Sequence, residues 1–120
     1  MKIVLHTTQY SGVALDYFPN DWRGYRYLAF SIYSPSEMPL ELVCRIHDEG
    51  HYQNGGDYDD RFNRTLVLQH GWNDVKISLA DVMNAPRGRK MDMRHIQNFG
   101  LFSVQLPQER VVYLDYLRLE

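Results

Sequence analysis

Cysteine is almost missing from this chain. Cys44 stands alone among 120 residues, so no intrachain disulfide can form and the fold must rest on its own core. Long apolar runs are missing as well. No stretch approaches the roughly 18 apolar residues that cross a bilayer. The opening Met1-Lys2-Ile3-Val4-Leu5-His6 is too short for the apolar core of a signal peptide. The expectation is a soluble chain that carries no address and does not insert directly into a membrane, either as it stands or as a piece of a larger exported or membrane protein. A surplus of one charge is also lacking. Thirteen basic residues face 15 acidic ones, for a net charge of −2. That balance excludes the basic stripe needed to bind nucleic acid and gives no attraction to an anionic membrane. There is no Gly-x-Ser-x-Gly elbow, phosphate loop or dinucleotide fingerprint, and no long helical period.

What is present is a period of two. Leu28, Phe30 and Ile32 alternate with Ala29, Ser31 and Tyr33. Leu40, Leu42, Cys44 and Ile46 alternate with Glu41, Val43, Arg45 and His47, and Val75, Ile77 and Leu79 with Lys76 and Ser78. Side chains two apart share a face of a strand, so these are half-buried strands over one core. Further strands are expected near residues 2–8, 11–17, 62–69, 99–106 and 111–119. Turn chemistry separates them: Pro19-Asn20-Asp21 with Gly24, Ser34-Pro35-Ser36 with Pro39, Asn54-Gly55-Gly56-Asp57, and His70-Gly71-Trp72-Asn73. Short helical turns are expected near Leu79–Ala85 and Met93–Asn98, neither long enough to organise a fold. The reading is one domain over residues 1–120: an all-β, two-sheet antiparallel sandwich of about eight to ten strands.

The chemistry concentrates between residues 45 and 64. If Leu42, Cys44 and Ile46 face the core, Arg45 and His47 face the other way, and Asn63, Thr65 and Val67 of the next strand share that outer face. Tyr33 and Ser31 are expected to join from an adjacent strand, and Ser103 or Gln105 from the strand near the C-terminus. With Asp48, Tyr58, Asp60 and Arg61 this makes a polar and aromatic face. Arg, Asn, Gln, Asp and His offer planar partners to hydroxyls, and Tyr33, Tyr52, Tyr58 or Trp72 offer rings to C–H faces. A saccharide ligand fits that chemistry. The competing reading has the same residues lock the long 48–61 loop.

Other patterns carry less. His47 and His51 have the spacing of paired zinc ligands, but such pairs share a face only on a helix. Asp57-Tyr58-Asp59-Asp60 lacks the spaced ligands of a calcium loop and reads as a solvated turn. Arg87, Arg89, Lys90 and Arg94 read as a solvent-facing basic loop. Asn63-Arg64-Thr65 matches a glycosylation acceptor, a triplet common by chance. Cys44 reads as core filling, and it points away from His47, which removes a nucleophile–base pair. Paired carboxylates for glycoside hydrolysis meet only in space, so the sequence leaves them open.

Several blocks together resemble a known family. Leu15-Asp16-Tyr17-Phe18-Pro19-Asn20-Asp21-Trp22-Arg23-Gly24-Tyr25, Arg45-Ile46-His47-Asp48, Asp60-Arg61-Phe62-Asn63-Arg64, Gly71-Trp72-Asn73 and the closing Tyr113-Leu114-Asp115-Tyr116-Leu117-Arg118-Leu119 are similar to galactose-binding-like, jelly-roll carbohydrate-binding modules. The whole chain resembles the extra-membrane domain of VanZ-like bacterial membrane proteins. The resemblance implies a non-catalytic binding domain for a saccharide or cell-envelope polymer, in the cell envelope or outside the cytoplasm, membrane-anchored through a parent protein. It implies no cofactor beyond a structural calcium, for which Asp115 matches one position. The alternative is a structural or protein-interaction domain of an envelope protein.

Overall fold

A computed structural model describes residues 1–15 and 18–120. Eight strands form: β1 (Lys2–Leu5), β2 (Tyr10–Ala14), β3 (Tyr27–Ser34), β4 (Leu40–Asp48), β5 (Phe62–Leu68), β6 (Gly71–Ser78), β7 (Ile96–Val104) and β8 (Arg110–Leu119). Two short helices interrupt them, α1 (Gly50–Gln53) and α2 (Leu79–Met83), with a 3-10 turn at Tyr58–Asp60. The strands make two antiparallel four-stranded sheets, ordered β1-β8-β3-β6 and β2-β7-β4-β5. The expected two-sheet sandwich is therefore the observed one. The expected end of the second strand, Asp16 and Tyr17, lies outside the described residues.

The core follows from the alternation. Leu28, Phe30 and Ile32 of β3 face Leu42, Cys44 and Ile46 of β4 across the sandwich, all at most 1% exposed. Ile3, Leu5, Leu68, Ile77, Phe99, Leu101 and Val112 complete it. Each such side chain contributes about 1.5–3 kcal/mol on burial. Cys44 fills space in this core, and burial pushes its thiol up to about 12.

Two sequence expectations meet a different structure. The helical turn near Met93–Asn98 does not form. Asp92 instead accepts the backbone N–H of Arg94 (3.2 Å) and pairs with His95 (2.8 Å), making a side-chain-closed turn. Ile96 then enters β7 beside Asp48. The basic loop is not wholly solvent-facing either. Arg89 turns inward and bridges two carboxylates. Its Nη1 and Nη2 donate to Asp48 at 2.8 and 2.9 Å, and its Nε and Nη2 donate to Asp60 at 2.7 and 2.9 Å. Asp48 ends β4, and Asp60 ends the excursion that precedes β5. One guanidinium thus pins both ends of the 48–61 segment.

Asp48 also accepts the N–H of Asp92 at 2.7 Å. Burial works to raise its pKa, but the Arg89 and Asp92 hydrogen bonds outweigh that and hold it below the usual carboxylate value. Asp60 is held low chiefly by the Arg89 hydrogen bond. Carboxylates depressed in the fold stabilise it above their unfolded value, roughly 3.9. That contribution disappears as pH falls through the folded values. Arg89→Ala leaves Asp48 charged, fully buried and short of its partner, and should cost about 3–5 kcal/mol in urea unfolding. The wild-type advantage over the variant should shrink as the titration moves below about pH 4. A variant as stable as the wild type at neutral pH would remove the brace from this account.

Candidate functional site

The outer face of the β2-β7-β4-β5 sheet carries the candidate site. Register sets Arg45 of β4 between Gly100 of β7 and Asn63 of β5. Phe102 lies beside Val43 on β7, and Gly12 beside Phe102 on β2. A groove of about 480 Å³ opens here, lined chiefly by Tyr10, Gly12, Arg45, Arg61 and Phe102. Tyr10 and Phe102 meet edge to face at 6.0 Å, and the Arg45 guanidinium lies 5.5 Å from the Phe102 ring centre.

One glycine makes this geometry possible. A Cβ at Gly12 would fall 2.0 Å from the Leu101 carbonyl oxygen, so only glycine lets β2 ride this close to β7. A Cβ at Gly100 would make only ordinary contacts, 3.6 Å from Arg45 Nη2 and 3.4 Å from Asn98 Oδ1, so that position tolerates a small side chain. Arg45 reaches Asn98 Oδ1 only at 3.4 Å, and its Nε is buried with no hydrogen-bond partner among the described residues. A buried guanidinium N–H left unmade is costly, so Arg45 is incompletely satisfied among the described residues. Arg61 stands on the same face. Its Nε donates to Asn63 Oδ1 at 2.8 Å, and its guanidinium sits 5.1 Å from the Tyr58 ring centre. Asn63 in turn donates to the Tyr58 carbonyl at 3.1 Å. Burial, with help from Arg45 nearby, lowers the Arg61 pKa. The site therefore gathers two hydrogen-bond forks and two rings around one groove, with the Asn63 carboxamide holding Arg61 from beside it.

The expected site residues separate into groups. Arg45, Arg61, Asn63 and Tyr58 come together on this face. Asp48 and Asp60 do not join it, because both are consumed by Arg89 and are nearly sealed from solvent. His47 has the expected outer-face parity but is only 3% exposed, because α1 folds over it. Its ring stacks on His51 at 4.6 Å and meets Tyr52 at 5.2 Å. Ring-to-ring stacking turns imidazole faces together instead of converging their nitrogens. Among the described residues, no three potential metal ligands cluster. Asp115 is exposed on the other sheet and accepts the Tyr116 N–H at 2.8 Å.

Tyr33 and Ser31 also belong to the other sheet, in β3, so they cannot share the Arg45 face. The strand near the C-terminus runs with the opposite parity to that expected. Phe99, Leu101 and Ser103 point inward, since two large apolar groups outweigh one hydroxyl. Ser103 satisfies its hydroxyl on the Ser11 carbonyl at 3.2 Å. Gln105 lies past the end of β7 with a φ of 45°, in a turn closed on Gln9, away from the groove. Sequence reasoning missed Tyr10, Asn98, Gly100 and Phe102. Gly100 between Phe99 and Leu101 was the available signal, since an isolated strand glycine marks a close approach.

No protein-family model matches this sequence, and no curated protein matches it. Solved structures do match the fold. A family 11 carbohydrate-binding module from Clostridium thermocellum, in complex with a beta-1,3-1,4-mixed-linked tetrasaccharide, superposes with a TM-score of 0.72 at 15% identity, over 99% of this chain and 74% of that one. The solution structure of CtCBM11 gives a TM-score of 0.68 at 18% identity, over 95% of this chain and 70% of that one. The agarase AgWH50C gives 0.75 at 16% identity, over 99% of this chain but only 21% of the enzyme. At these identities the likeness is one of fold: the chain is a jelly-roll sandwich with the architecture of those modules.

The buried imidazole gives a prediction. Burial lowers the His47 pKa below 6.5, with the charges of His51, Arg45 and Arg61 adding to it. The folded state then takes up a proton less readily than the unfolded chain. Stability should be full above about pH 6.5 and decline as pH falls below it. His47→Phe keeps a ring under α1, and its stability should fall less between pH 7 and 5 than the wild type's, measured by urea denaturation. Equal slopes would show that His47 charges freely in the fold.

Proposed function

We propose that this chain is a non-catalytic saccharide-binding module and that the groove over β2, β7 and β4 receives the sugar. The observation that carries the reading is Arg45: its guanidinium lines an open groove beside two aromatic rings, held among the described residues only by a long 3.4 Å contact of Nη2 with Asn98. A sugar hydroxyl or ring oxygen would accept from the terminal N–H groups of Arg45, and Arg61 and Asn63 would supply further hydrogen bonds. Tyr10 and Phe102 would take the C–H face. The neighbours that share the fold include modules whose own names state saccharide binding, which supports the class of ligand. The resemblance to the extra-membrane domain of VanZ-like proteins favours an envelope polymer and a membrane-anchored parent.

The structure also favours a division of labour between the two sequence readings. Asp48, Asp60, His51 and His47 brace the 48–61 segment, while Arg45, Arg61 and Asn63 remain on the open face. The two readings are then compatible, each for different residues. Among the described residues, Asp48 and Asp60, the carboxylates gathered near this face, are both occupied by Arg89.

Calorimetric titration with mixed-linked β-glucan tetrasaccharide, agarose oligosaccharides and envelope polysaccharides tests the proposal. Binding of at least one is expected. Arg45→Ala should then weaken it by about 1.5–3 kcal/mol, which is ten- to a hundredfold. Phe102→Ala should weaken it too, with the unfolding midpoint of Arg45→Ala close to wild type. Absence of binding across the panel, or binding indifferent to both substitutions, would refute the proposal.

A further inference from the structure

The outer face of the opposite sheet is built in rows that no part of the groove uses. Register aligns Tyr113 of β8, Tyr33 of β3 and Trp72 of β6 side by side across three strands. Tyr33 lies 5.3 Å from Trp72 and 6.4 Å from Tyr113, ring centre to ring centre. The adjacent row is Asp115, Ser31 and Asp74, on the same three strands. Ser31 Oγ donates to Asp74 Oδ1 at 2.7 Å. The row after the irregularity in β8 is Arg118, Ala29 and Lys76. Aromatic, acceptor and donor rows thus follow one another along the strands.

That irregularity has a purpose visible in the geometry. Tyr116 adopts a φ of 57°, a left-handed conformation that a bulky side chain rarely takes. Its N–H is held by Asp115 at 2.8 Å, and its ring leans to within 6.5 Å of Trp72. The small residues Ala29 and Ser31 lie below. The result is a trough of about 590 Å³, with Tyr116 and Arg118 on one side and Asp74 and Lys76 on the other. Trp72 is 56% exposed and Tyr116 66% exposed, against 1% for Trp22, the only other tryptophan. Local strain kept at an exposed tyrosine is a feature of ligand clamps.

We infer that this trough is a second saccharide-binding site, independent of the Arg45 groove, in which Tyr116 stacks on a neutral sugar chain and Asp74 accepts its hydroxyls, while Trp72 and Asp115 stand just outside the lining, next to Tyr116. Neutrality follows from the charge: Asp74, Asp115 and Glu120 are balanced by Lys76 and Arg118 around the trough and by Lys2 at the end of the aromatic row. A single chain is preferred over a flat polymer surface because neighbouring rings are tilted by 51–57° and offer no common plane. A protein surface seated here would leave Asp74 and Asp115 to be desolvated, whereas sugar hydroxyls satisfy them.

The test uses the whole chain carrying Arg45→Ala and Phe102→Ala, so that the groove is silenced. Soluble neutral oligosaccharides, mixed-linked glucan and agarose fragments, are titrated while tryptophan fluorescence is followed. Because Trp22 is buried, a change reports Trp72. Saturable change, weakened at least about tenfold by Asp74→Ala or Tyr116→Gly, is the expected result. Tyr116→Gly removes the ring while relieving the backbone strain, so loss of binding without loss of folding is readable. No fluorescence change with any sugar, or binding unaffected by both substitutions, would overturn the second site. So would concentration-dependent self-association abolished by Trp72→Ala with no sugar bound, which would assign the face to protein contact. Failure of the groove proposal alone would leave this result intact, since the two sites lie on opposite sheets.

Discussion

Arg89 sits at the point on which the candidate face depends. It fastens Asp48, the last residue of β4, to Asp60, two residues before β5 begins. Between them the chain makes α1 and a 3-10 turn, an excursion with little core of its own. Loop closure costs entropy, and a bridged pair of carboxylates held by one rigid fork offsets it with direction as well as energy. Arg61 and Asn63 follow at once from the pinned end. Their place beside Arg45 is therefore set by a brace that itself touches no ligand.

The brace also explains why polar residues close in sequence act differently. Along β4, position 45 faces the groove beside Gly100 of β7. Position 47 is closed because α1 lies over it. Position 48, on the inner parity, becomes a buried anchor. One strand thus yields a groove-lining guanidinium, a packed imidazole and a structural carboxylate within four positions. The difference lies in what covers each one.

This is also where the sequence stopped being legible. Alternation in β3, β4 and β6 gave the two-sheet sandwich and the inward faces, because apolar and polar residues there keep strict parity. It faltered in β7, where Phe99, Leu101 and Phe102 are all apolar and no pattern says which face wins. It also could not assign strands to sheets, so Tyr33 was grouped with Arg45 although the two stand on opposite sheets. Arg89 was hidden because a loop arginine among other basic residues looks solvent-facing. Its partners lie 41 and 29 positions away in sequence. Long-range charge pairing and the order of strands are tertiary facts, and local periodicity does not contain them.

The central claim is that the β2-β7-β4 groove recognises a sugar through the Arg45 guanidinium, whose Nε–H shares the delocalised charge and reports a new partner. Nitrogen-resolved NMR reads that proton directly, along with the backbone amides around it. On titration with a bound oligosaccharide, the Arg45 Nε–H resonance should shift and sharpen, together with amides of Gly12, Gly100 and Phe102. An Arg45 signal that stays fixed while saccharide-induced shifts gather elsewhere would contradict the account.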